Sequence, residues 1–172
     1  ESGEDEIYSC TQCGYAANRE LAERECEKNE ADVAMQKEKV HTPNIKTVEE
    51  VCRFLKVDAA KLIKTLIYQA DQQVIIVLCR GDVQINEGKL HRLLKVKSLK
   101  LADENTVVAT TGASSGFSGP IGIQNVKTIA DISVRGMKEA VVGANQNDTH
   151  WIHVDIDRDC TINGYEDLGY AN

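Results

Sequence analysis

Residues 65–79 read TLIYQADQQVIIVLC, and this stretch decides the fold. TLIYQA and VIIVLC are runs rich in β-branched and aromatic side chains, with the turn-forming DQQ between them. Two such runs across so short a connection predict a β-hairpin. Cys79, which ends the second run, reads as a small buried hydrophobe.

Upstream, TPNIKTVEEVCRFLKV begins after the break at Pro43. Thr47 is a good N-cap, and Glu50 three residues later completes a capping box. Val48, Val51, Cys52 and Leu55 follow at helical spacing. A second helix is predicted from Asp58 to about Lys64. Downstream, NEGKLHRLL is helical, VKSLKLA is a short or edge strand, and DENTVVATTG is a capped helix that ends at Gly112. VKTIADI and HWIHVDID read as strands, and SVRGMKEAVVGAN as a turn or short helix followed by a strand. Strands and helices interleave without a regular βαβ rhythm, which predicts an α/β (α+β) fold with helices packed on a mixed sheet. No internal repeat is present. Before residue 42 the composition differs. A short β-like piece at 7–10 precedes an acidic, alanine-rich stretch of helical character from Ala17 to about Ala34.

With 172 residues, 42% hydrophobic and 27% charged, the chain suits one globular domain with a small appendage. No apolar run approaches the roughly 18 residues of a membrane span, and the acidic start is not a signal peptide. A cytoplasmic location is therefore expected. The chain starts at Glu1 rather than methionine, so an excised piece of a longer protein is expected. The net charge of −7 resides in residues 1–50, which hold 13 acidic against 6 basic side chains. Arg80, Lys89, Arg92, Lys95, Lys97 and Lys100 form a local basic stripe. Such a stripe can meet a phosphate backbone or can be an ordinary solvated face. Of six cysteines only Cys10 and Cys13 make a CxxC pair. A zinc ribbon needs four ligands, and without a second pair no metal site is expected.

Standard catalytic signatures are missing: there is no GxSxG, no P-loop and no HExxH. Three features could still do chemistry. GASSGFSGPIGI, with Gly112, Gly116, Gly119, Gly122 and Pro120, is a tight loop. It could gather N–H groups around an anion or a developing oxyanion, or be a plain surface turn. Lys64, at the start of an apolar strand, either snorkels to solvent or points into a cleft. His150 and His153 lie on the HWIHVD strand, whose period of two puts His150 with Ile152 and opposite Trp151. A lone strand histidine is more often structural than catalytic.

The series TPNIKTVEEVCRFLKV, KLIKTLIYQAD, LCRGDVQINEGKL, GFSGPIGI, IADISV and VVGANQNDTHWIHVDIDRD resembles the inserted editing domain of bacterial-type prolyl-tRNA synthetases. That family includes the freestanding YbaK-type aminoacyl-tRNA deacylases. The resemblance covers about residues 42–160, with residues 1–41 as a flank from the synthetase catalytic domain, the editing domain at 42–165 and a C-terminal flank at 166–172. It implies a central mixed, mainly antiparallel sheet. It also implies hydrolysis of alanine wrongly attached to proline tRNA, with no cofactor. The partners it implies are the tRNA acceptor end and the rest of a synthetase chain, with no membrane. By motif, Lys64 matches the family's essential lysine. The loop of Gly116, Gly119 and Pro120 matches its GxxxP loop, and Asp131 and His150 match pocket residues that bind substrate. Cys10 and Cys13 fall where the family varies and carry no metal on this reading. One departure is Val83, where the family often has histidine. Two rival classes stand beside this reading: a tRNA-binding module of the same fold without hydrolysis, and a small zinc-ribbon protein built on Cys10 and Cys13.

Overall fold

The computed structural model describes residues 7–9, 16–18 and 35–170. In chain order the elements are β1 (Ile7–Ser9), β2 (Ala16–Asn18), β3 (Glu38–His41), α1 (Val48–Leu55), β4 (Ile63–Ala70), β5 (Gln73–Arg80), α2 (Glu87–Leu94), β6 (Leu99–Leu101), α3 (Glu104–Thr111), β7 (Lys127–Asp131), β8 (Ala140–Gly143), β9 (Thr149–Val154), α4 (Ile156–Asp159) and β10 (Gly164–Glu166). Among the described residues no helix is long and apolar enough to cross a membrane.

The hairpin forms as expected, and its second strand becomes the centre of the molecule. β5 lies between antiparallel β4 and parallel β7 in a five-stranded sheet of order β10-β7-β5-β4-β6. An apolar run without alternation is what a strand covered on both faces needs. Ile76 and Leu78 enter one core, and Ile75, Val77 and Cys79 enter the other with Leu90 of α2. Each fully buried side chain of this size contributes roughly 1.5–3 kcal/mol relative to exposure. The turn is tighter than DQQ suggests. Ala70 pairs with Gln73, leaving Asp71 and Gln72 as a two-residue connection with Asp71 at φ 52°. The Asp71 carboxylate accepts from the Lys97 and Ser98 amides at 2.8–3.2 Å, which ties the tip to the approach of β6.

A second sheet, β3-β9-β8, is wholly antiparallel. The two sheets meet at a single parallel bridge between Leu62 and Val141. The sheet content is thus mixed and mainly antiparallel, divided between these two sheets and the separate antiparallel pair β1-β2. α1 has the predicted capping box, with Thr47 and Glu50 each holding the other's backbone amide at 3.0–3.2 Å. Its Val51 covers the bridge with Leu62 and Val141. α3 ends at Gly112, whose φ of 85° closes the helix as expected.

Some expectations are corrected. The helix predicted from Asp58 to Lys64 is one 3₁₀ turn, Ala59–Lys61. Leu62 is already extended and accepts the Gly81 amide at 2.8 Å, so Lys64 belongs to β4. The helical character read from Ala17 begins instead in β2, paired with β1, while residues 19–34 lie outside the described residues. Cys10 and Cys13 lie outside them as well. Residues just outside the expected 42–165 domain pair with strands inside it. β3 is hydrogen-bonded to β9, and β10 runs on through Glu166 beside β7. Both strands are short and polar, and carry no pattern of their own.

Asp131 fastens that last segment. It is fully buried; one carboxylate oxygen accepts from the Leu168 and Gly169 amides at 2.8 and 3.0 Å, and the other from the Ser133 amide at 3.0 Å. A buried amide left without an acceptor costs about 1–3 kcal/mol. Asp131→Ala should therefore lower unfolding free energy in urea by at least about 3 kcal/mol. A loss under about 1 kcal/mol would show that the carboxylate is not the fastening.

Candidate functional site

Beyond the Leu62–Val141 bridge the sheets part. β6 pairs with β4 only opposite Tyr68, Gln69 and Ala70, so residues 63–66 have no strand partner on that side. They line a cavity of about 290 Å³ instead. Val48 and Val51 of α1, Leu62, and Val141 to Gly143 of β8 give it an apolar wall. His150, Gly116 and Ser118 close one side, and Lys46 and Thr47 stand beside the start of α1.

Lys64 neither stays in solvent nor projects freely into the cleft. Strand alternation turns it away from Ile63 and toward the α2 side, where its ammonium donates to the Val83 carbonyl. The Cys79 thiol, opposite Lys64 in the hairpin, faces the same carbonyl at 3.6 Å. The contact at position 83 is made by backbone, so valine in place of histidine leaves it in place. Arg80 hydrogen bonds hold the nearby Asp82 carboxyl below its ordinary range, with a smaller pull from Lys64.

His150 is buried, 4% exposed. Its Nδ1 lies 2.6 Å from the Thr42 hydroxyl, and its ring meets Phe117 edge-on at 5.6 Å. Burial disfavours the charged imidazole and lowers its pKa; a hydrogen bond to the Gly116 backbone pulls less strongly the other way. The imidazole is therefore neutral at pH 7. The other histidines stand elsewhere: His153, in the left-handed region at φ 57°, pairs with Glu139, and His41 and His91 are exposed.

The glycine loop is not a plain surface turn, and its glycines do different things. Gly116, at φ 93°, lies so close to the chain before α1 that a Cβ would sit 2.8 Å from the Lys46 Cβ and 2.9 Å from its carbonyl oxygen. Gly119 was expected to bring its backbone to a ligand, and here the structure differs. Its N–H is donated to the Asn145 side chain at 2.7 Å, and a Cβ would fall 1.8 Å from the Gly143 carbonyl oxygen. Gly119 and the buried Pro120 are outside the cavity wall and brace the loop against β8. Asp131 is outside it too, with both carboxylate oxygens on backbone amides. Lys64, Gly116 and His150 are the expected residues brought together.

Sequence reasoning missed Thr42, Phe117, Gly143 and Asn145. Asn145 accepts from Gly119, donates to the Ile121 carbonyl at 2.9 Å, and gives its own amide to Phe117 at 2.9 Å. An asparagine after a strand, here at φ 54°, was the available signal. Thr42 beside Pro43 gave none. Among the described residues no three His, Cys, Asp or Glu side chains converge to hold a metal ion.

A small, largely apolar cavity, a neutral buried histidine and a loop of backbone amides suit recognition of a small acyl group. Residues 42–158 match the family model described as the aminoacyl-tRNA editing domain, and the chain belongs to that family. Over 169 residues it is 46% identical to the proline–tRNA ligase of Oleidesulfovibrio alaskensis and, over the same length, 45% identical to that of Geotalea daltonii. Each alignment covers 98% of this chain but only 29% and 30% of those ligases, so the chain spans about 30% of the length of these relatives. A crystal structure described as a candidate trans-editing enzyme for prolyl tRNA synthetase shares the fold. Its TM-score is 0.68 at 18% identity, covering 78% of this chain and 87% of the other.

The close approach at Gly119 makes a prediction opposite to that for a ligand-facing glycine. Gly119→Ala should destabilise the fold by about 1–3 kcal/mol, the usual cost of overpacking. Gly164→Ala, where nothing lies within 4 Å of the added Cβ, should change stability by less than about 0.5 kcal/mol. Thermal unfolding of the two variants side by side is the check, and equal midpoints would refute the contact.

Proposed function

We propose that this chain hydrolyses the ester that joins alanine to the terminal ribose of proline tRNA, as the editing part of a proline–tRNA ligase. The observation that carries the reading is the cavity of about 290 Å³, near the lower end for ligand pockets, with apolar walls and His150 beside them. Its apolar walls suit a small aliphatic side chain. A synthetic site shaped for proline cannot strongly reject a smaller alanine, because each missing methylene is worth only about 1–3 kcal/mol. A second site that admits by size removes the error. The partners on this reading are the acceptor end of the tRNA and the remainder of a synthetase chain, and the reaction belongs in the cytoplasm.

No side chain on the cavity wall has the base partner that an activated nucleophile needs. The Ser118 hydroxyl lies 3.3 Å from that of Thr111, and His150 is held by Thr42. Water is the attacker on this reading, with the ribose 2′-hydroxyl of the substrate as its aid. Attack on the ester carbonyl forms a tetrahedral oxyanion. The C–O bond to the ribose then breaks and the ribose oxygen takes up a proton. On this reading the backbone amides of Gly116 or Ser118, two residues that line the cavity, donate to the oxyanion, one such bond being worth about 3 kcal/mol. The amide of Gly119 is not available, since Asn145 holds it. Lys64 lines the cavity, and on this reading its ammonium exchanges the Val83 carbonyl for the ester end or its phosphate, which it holds by a charge-assisted bond.

Lys64→Ala should lower deacylation of alanyl-tRNA of the proline type at least tenfold, about 1.4 kcal/mol of transition-state stabilisation, with an unchanged circular dichroism spectrum. Unaltered hydrolysis would remove Lys64 from the reaction. No hydrolysis by the wild-type chain, with tRNA still bound, would favour a binding module. His150→Ala should widen the pocket and let cysteine or proline be released from the same tRNA, a shift of about 1–3 kcal/mol. A collapse of alanine hydrolysis by roughly 10²–10⁴-fold without gain on larger groups would make His150 a general base instead.

A further inference from the structure

We infer that Thr42 is a positioning residue: its hydroxyl fixes the His150 imidazole in one tautomer, so that the ring clamps the glycine loop and holds the cavity to size. Thr42 is fully buried, and its Oγ1 lies 2.6 Å from His150 Nδ1. Its own backbone is fixed at both groups: the amide donates to the Asp148 carbonyl at 2.8 Å and the carbonyl accepts the Ile45 amide at 3.3 Å. The hydroxyl is thus carried on a rigid support one residue past the end of β3.

The direction of the bond follows from the hydroxyl. Thr42 is fully buried, and His150 Nδ1 is the one partner its hydroxyl meets among the described residues, so the hydroxyl hydrogen goes to Nδ1. In a neutral ring whose Nδ1 is the acceptor, Nε2 carries the proton. The lone pair that could take a proton from water is thereby committed to Thr42. His150 acts as a strut from Thr42 to the glycine loop, where Phe117 packs against its edge at 5.6 Å. Gly116, the residue before Phe117, cannot yield either, because Lys46 stands within 3 Å of the position a Cβ would take. Loss of the hydroxyl frees the ring to change tautomer and turn, and the wall it forms becomes loose.

The tautomer is independent of any activity; the effect on selection rests on the proposed deacylation. The test uses the whole chain with ¹⁵N-labelled histidine, observed through long-range proton–nitrogen correlations well above the imidazole pKa. Wild type and Thr42→Ser should show His150 with a protonated Nε2 and an unprotonated, hydrogen-bonded Nδ1. Thr42→Val, equal in shape, should lose the Nδ1 shift and show mixed tautomers. Its ratio of alanine to cysteine release from proline tRNA should fall about tenfold, and Thr42→Ser should restore it. A protonated Nδ1 in the wild type, or an unchanged ring spectrum in Thr42→Val, would overturn the positioning role. A changed spectrum with an unchanged ratio would overturn the link to selection and leave the tautomer standing. Should Thr42→Val fail to fold, the wild-type tautomer and the Thr42→Ser ratio decide the matter alone.

Discussion

The single bridge between Leu62 and Val141 is the constraint on which the site depends. Two sheets that continued to pair beyond it would leave no cavity. Two sheets with no bridge would leave the start of β4 and the end of β8 without a fixed separation. One pair of residues, covered by Val51, fixes the distance while the next few on each strand stay apart. Backbone groups along an unpaired strand segment need partners, and water or a bound acyl group can supply them. A cleft at the parting of two sheets is therefore both a packing consequence and a place for a ligand.

Around that cleft, rigidity comes from backbone pressed on backbone. Gly119 lies against Gly143, and Gly116 against the carbonyl and Cβ of Lys46. Neither contact tolerates a side chain, so the loop has one available position. Asn145 stitches it at two further points. The result is a loop wall whose position is fixed by backbone contact rather than by side chains.

Polar groups near the cleft are tied down rather than poised. Lys64 is held by a carbonyl, His150 by a hydroxyl and the loop, and Asp131 is spent on amides remote from the cavity. Such a site has little means of activating a nucleophile of its own. It is suited to a substrate that brings its own reactive bond and to a choice made by shape.

Much of the fold was legible in the sequence because its causes are local. The VIIVLC run dictated a strand buried on both faces, Thr47 with Glu50 a capped helix, and Gly112 a helix end. Lys64 and the glycine loop stood out by residue type in an unusual setting, and family resemblance attached roles to them. What the sequence could not decide depends on partners distant along the chain. β3 and β10 are strands only because β9 and β7 lie beside them. Gly119 lies against backbone because Gly143, 24 residues later, occupies the space beside it. Asp131 holds backbone amides because residues 168 and 169 return to it. Thr42 meets His150 across 108 residues. Spacing and propensity report the neighbours within a few residues; which face of a buried group is used, and for what, is set by long-range packing alone.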